Sequence, residues 1–159
     1  MNSLNLRLII AIILALVLTI LPLPDLLVGL RPPWVLMLAL YLQYYLPDHF
    51  NVSLLVIIGL MLDVLLATVI GEHAFALCFV SWIASNKARR FLFSIGQQMG
   101  LIGFFCLLYQ LLILTIDAFL GFHIGFLMSL GSALISVLFW PWVRLIADDT
   151  LLAKAPYRR

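Results

Sequence analysis

Charge is what this chain has least of. Only 10% of its 159 residues are Asp, Glu, Lys or Arg and 65% are hydrophobic, where a soluble domain averages about 25% charged and about 45–50% apolar. A fold of this size has no core large enough to hide that much apolar surface, so lipid is expected to be the solvent for most of the chain. One polytopic membrane domain over residues 1–159 is the natural reading. The net charge of +2, with no basic stripe interleaved with aromatics, excludes nucleic acid as a partner. Cysteine is nearly absent too. Cys78 and Cys106 both fall inside apolar runs, so they are expected as small buried hydrophobes rather than as a disulfide or a metal pair.

Catalytic signatures are also missing. There is no serine elbow, no His-Glu-x-x-His, no phosphate loop and no pair of carboxylates at catalytic spacing, which disfavours an enzyme and implies no cofactor. Glu72, His73 and His123 fall on one face of the layout below, but without tight ligand spacing, so no metal site is predicted.

What the chain does have is long apolar runs. Six membrane-spanning helices are predicted, at about 8–21, 34–46, 52–70, 74–85, 99–120 and 124–146, with a short interfacial helix over 91–98. The first run resembles a signal peptide, but Leu-Pro-Leu-Pro-Asp follows it in place of a small-x-small cleavage site, so an uncleaved span is expected. Prolines 22 and 24 end that span, because proline removes a helix donor. With the N-terminus in the cytoplasm, Arg7, Lys87, Arg89, Arg90, Arg144, Lys154, Arg158 and Arg159 all face inward, and only Arg31 faces outward. That bias predicts an N-in/C-in topology.

A few polar residues interrupt the apolar pattern. Asp63 sits in the run LLVIIGLMLDVLLATVIG, where a carboxylate costs about 2.5–3.5 kcal/mol at the middle of a bilayer. It is expected either as a polar anchor toward a partner helix or as a structural hydrogen bond to a neighbouring one. Asp25, Arg31 and Asp117 are placed outside, and Arg31 could pair with either carboxylate or be solvated with them at the headgroups. Asp63 and Asp117 are expected at different depths. Lys87, Arg89 and Arg90 form a cytoplasmic patch for anionic lipid or a partner. Gly59, Gly71, Gly125, Ser129 and Ala133 are candidate helix-packing positions, because small residues let helices approach closely in lipid.

Several of these pieces are similar to a known family. Arg31-Pro32-Pro33-Trp34 before an apolar helix, Gly59-Leu-Met-Leu-Asp63 with Gly71 eight residues after the carboxylate, the Leu21-Pro-Leu-Pro-Asp25 turn and the closing Trp140-Pro141-Trp142 together resemble the bacterial rod shape-determining MreD family. Pro33 stands where some members carry a polar residue. The resemblance implies a six-helix fold similar to the substrate-binding subunits of energy-coupling-factor vitamin transporters. It implies a non-enzymatic inner-membrane subunit of the cell-elongation complex, which serves peptidoglycan synthesis at the lateral wall. The partners it implies are a bitopic periplasmic MreC-like protein, actin-like MreB filaments, a RodA glycosyltransferase and a class B transpeptidase. The alternative is a small-molecule binding subunit of a membrane transporter. A polar cavity open to one side and lined by several helices would favour that alternative.

Overall fold

The apolar runs form helices and nothing else: among the described residues, helix is the only regular structure. The structure, a computed structural model, describes residues 3–21, 31–47, 50–85, 94–121 and 126–152. The chain order is α1 (Ser3–Ile20), α2 (Trp34–Tyr45), α3 (Val52–Leu66), α4 (Glu72–Ser85), α5 (Ile95–Phe119) and α6 (Phe126–Ala147), closed by a π-helical turn over Asp148–Leu152.

Sequential neighbours pack together as α1 with α2, α3 with α4 and α5 with α6, and α4 also packs on α5. The short α2 is the axis. Val35, Leu36, Met37, Ala39, Leu40, Tyr41 and Leu42 are all buried, and α1, α4, α5 and α6 all touch it. A helix apolar all round can be covered on every side without burying a polar face.

Two close approaches tighten the bundle. A Cβ on Gly59 would lie 2.3 Å from the Ala74 Cα, so the backbones of α3 and α4 nearly touch. A Cβ on Gly103 would lie 2.7 Å from a Val137 methyl, which seats α5 on α6. Ala133 is buried in the core.

The first helix begins at Ser3 rather than 8, and three further boundaries depart from the sequence reading. The third helix stops at Leu66 rather than running to 70, because Ala67 adopts a left-handed conformation at its C-cap and its amide bonds back to the Asp63 carbonyl. The fourth begins at Glu72, which moves Glu72 and His73 out of a turn and into a first helical turn. Residues 95–98 open α5 itself rather than forming an interfacial helix.

The expectation of six full spans also meets a limit of length. Ile95–Phe119 and Leu130–Leu151 are long and apolar enough to cross a membrane, whereas Asn5–Ile20, Trp34–Tyr45, Val52–Leu66 and Glu72–Ser85 are apolar but shorter. At 1.5 Å per residue the shorter helices reach about 18–24 Å, against a hydrocarbon core of about 30 Å.

Polarity is distributed inside out. Asp63, Glu72, Gln98, Ser132 and Ser136 are buried, while Ile10, Val64, Ile70, Phe119, Leu134 and Trp142 point outward, Phe119 at 89% exposure.

Candidate functional site

Two ends of the bundle carry polar clusters. One gathers the C-termini of α1, α3 and α5 and the N-termini of α2 and α4. It is built on Asp63, which lies in the last turn of α3 and is wholly buried. Its carboxylate reaches over the α3–α4 turn. Oδ2 accepts from the Gly71 amide at 2.7 Å, and Oδ1 accepts from the His73 amide at 2.9 Å. The first amides of a helix lack intrahelical acceptors and carry partial positive charge, so a carboxylate there both caps α4 and is stabilised by it. His73 Nδ1 is also 2.9 Å from Oδ1. A carboxylate only accepts, so that ring nitrogen carries the hydrogen. Thr68 Oγ1 stands 3.3 Å from the same nitrogen, and the Tyr109 ring meets the imidazole edge-on. Gly71 serves this turn rather than helix packing: its φ is +99° and nothing lies near the position of a Cβ.

Arg31 approaches from the opposite wall. Its carbonyl accepts from the Ser132 hydroxyl on α6, and its Nη1 donates to the Thr19 carbonyl on α1 at 3.1 Å. A cation suits the last carbonyls of a helix. Pro33 centres a tight turn into α2, in which the Trp34 amide bonds to the Pro32 carbonyl and the Met37 amide to the Pro33 carbonyl. Ser132 in turn accepts from Gln110 Nε2 at 3.0 Å. Arg31 makes no ion pair with Asp117 among the described residues.

Between these walls lies a half-open cavity of about 310 Å³, lined by Thr19, Arg31, Thr68, Glu72, His73, Tyr109, Gln110 and Asp117 together with apolar groups from α2, α3 and α5. Asp63 and Asp117 are therefore at the same end rather than at different depths, and both act electrostatically on Glu72. Glu72 is 4% exposed, and neither of its carboxylate oxygens has a hydrogen-bond partner among the described residues; Arg31 Nε is likewise buried and unpaired. The sequence reading weighed Glu72 and His73 only as metal ligands. No group of three His, Cys, Asp or Glu side chains is placed to hold a metal among the described residues.

The opposite end is a latch. Arg144 Nη1 donates to Gln98 Oε1 at 2.9 Å, and Arg144 Nε sits 3.4 Å from Asp148 Oδ2. Tyr41 donates to Asp148 Oδ1 at 2.7 Å, and Arg7 donates to the Thr150 carbonyl at 2.8 Å. The network ties α1, α2 and α5 to the π-helical turn. None of Gln98, Tyr41 or Asp148 stood out in the sequence, because only the fold brings them together.

Asp25, Lys87, Arg89, Arg90, Gly125 and His123 lie outside the described residues, as does the Ser129 side chain. Neither Cys78 nor Cys106 is in a disulfide; Cys106 is buried, as expected, whereas Cys78 is only half-buried.

Comparison with known proteins adds a family. The family model described as rod shape-determining protein MreD matches residues 1–148. The rod shape-determining protein MreD of Haemophilus influenzae is 28% identical over 137 residues, covering 84% of this chain and 83% of that protein. No solved structure matches the chain, so the expected likeness to energy-coupling-factor subunits has no structural counterpart.

Proposed function

The chain belongs to the MreD family of rod shape-determining proteins, and from that premise we propose that it is a non-enzymatic, six-span scaffold subunit in the bacterial inner membrane. It acts within the cell-elongation complex by lateral recognition in the bilayer and short loop contacts. There it positions a bitopic MreC-like protein, and through it a RodA glycosyltransferase and class B transpeptidase, relative to actin-like MreB filaments. The family match over residues 1–148 is the single observation that carries this role.

The inside-out polarity supports the membrane part of the reading. Exposed Val64, Ile70, Leu134 and Trp142 over a core that holds Asp63, Glu72 and Gln98 suit lipid as solvent, since an apolar surface of this extent does not stay monomeric in water. The four short helices span by locally thinning the bilayer or by using flanking chain, adjustments that cost fractions of a kcal/mol per Å. The basic bias places the Asp63–Arg31 end outside and the Arg144 latch in the cytoplasm.

The test is depletion of the protein in a rod-shaped host, scored by microscopy. Cells should round up while synthesis of the wall continues, and a wild-type copy should restore rods. Unchanged shape would end the scaffold reading.

One observation favours the second reading, a small-molecule binding subunit of a transporter. The cavity is half open and sets polar groups from several helices among apolar ones, as ligand pockets do. Lost uptake of a solute with normal shape would move the assignment there.

A further inference from the structure

We propose that the cavity between Arg31 and Glu72 binds a zwitterion: a ligand that carries a primary ammonium close to a phosphate or a carboxylate. Glu72 and Asp117 take the ammonium, and the Arg31 guanidinium takes the anion. The observation behind this is two groups of opposite sign on facing walls of the cavity, each with buried polar atoms that lack partners among the described residues. Both Glu72 oxygens and Arg31 Nε are buried without partners among the described residues, and both residues line the same space. A buried ionic group left unpaired costs far more than one with a partner. The two are not an ion pair with each other, so something that bridges them would satisfy both.

The other ligand classes fit less well. A lone anion would meet one guanidinium and two carboxylates. A hard metal cation wants six or more oxygens, and here a guanidinium occupies the wall where they would stand. An apolar ligand would bury both charges unpaired. A zwitterion matches the lining sign for sign, and the forked guanidinium suits phosphate and carboxylate alike. The volume of about 310 Å³ lies at the small end of ligand pockets, about 300–1,000 Å³, which suits a headgroup or an amino acid.

Two sources share this chemistry: the ethanolamine phosphate headgroup of a bilayer lipid, with its chains leaving through the open side, and a free zwitterion such as an amino acid. The inference rests on the cavity and not on the shape role, so Glu72→Gln can lose ligand while the chain still restores rods.

The experiment uses the full-length protein in detergent. In the lipid arm it is incubated with equal amounts of phosphatidylethanolamine and phosphatidylglycerol, and retained lipid is counted by native mass spectrometry. In the soluble arm, thermal unfolding is followed with phosphoethanolamine and with glycine, and with ethanolamine and inorganic phosphate as half-ligands. Preferential retention of phosphatidylethanolamine identifies the lipid source. A rise in Tm with phosphoethanolamine or glycine, above that with either half-ligand and without lipid preference, identifies the free one. The apparent affinity read from a ligand titration of either response should fall roughly tenfold or more in Glu72→Gln, the scale of one lost charged hydrogen bond, and also fall in Asp117→Asn. Because the Glu72 oxygens have no hydrogen-bond partner among the described residues, ligand-free Glu72→Gln should unfold at or above the wild-type temperature. No lipid preference together with no soluble response overturns the proposal. So does an undiminished response in Glu72→Gln, or a ligand-free variant that unfolds well below wild type.

Discussion

Asp63 and His73 meet twice, once through the His73 amide and once through its ring Nδ1, each at 2.9 Å from the same carboxylate oxygen. The pair spans the turn between α3 and α4, and it ends one helix and starts the next. Asp63→Ala would leave the Gly71 and His73 amides and the imidazole unpaired in a buried site. The expected loss is about 2–4 kcal/mol, seen as a lower unfolding temperature in detergent. A double-mutant cycle with His73→Ala should give a coupling of roughly 1 kcal/mol or more. Additive single effects would mean that the two do not act as a unit.

The glycines separate into those that need to be glycine and those that do not. Gly59→Ala drives a Cβ into the Ala74 backbone and should cost about 1–3 kcal/mol through forced separation of α3 and α4. Gly71→Ala has open space but a φ of +99°, and a left-handed conformation costs an L-residue about 1–2 kcal/mol. Gly96→Ala and Gly100→Ala meet nothing within 4 Å. Both lie in α5, so they should be neutral or stabilising by up to about 1 kcal/mol. Parallel unfolding curves of the four variants check the order.

The Arg144 latch should depend on shape as much as on charge. Arg144 reaches Gln98 and Asp148 at once and lies over the Tyr45 ring. The ion pair is partly exposed, so Arg144→Ala should cost only about 1 kcal/mol. Arg144→Lys should recover little of it, because an ammonium lacks the forked donor set. Full recovery by lysine, read from the unfolding temperature, would reduce the contact to simple charge.

Much of the helical layout was legible in the sequence. Prolines 22 and 24 and the Pro47 and Gly121 turns punctuate the apolar runs, and the observed helices fall between them. The end of α3 was not legible, because Leu66-Ala67-Thr68-Val69-Ile70 continues the apolar pattern. What stops the helix there is a left-handed residue and a carboxylate reaching to the next helix, and hydropathy sees neither. Asp63 and Arg31 were recognisable as polar intruders, but their bonds were not. The acceptor for Arg31 is a main-chain carbonyl of α1, and Asp63 binds backbone amides, neither of which leaves a mark in side-chain composition. Glu72 was hidden most completely. Its distinction is to lack a hydrogen-bond partner among the described residues, a property that exists only once its neighbours are placed.

The proposed role requires six crossings of the bilayer with the basic ends inside. Reporter fusions at the two termini and in the turn between α3 and α4 test it most directly. Both termini are expected in the cytoplasm, and the turn over residues 69–71 outside. Termini on opposite faces, or that turn on the same side as the termini, would contradict it.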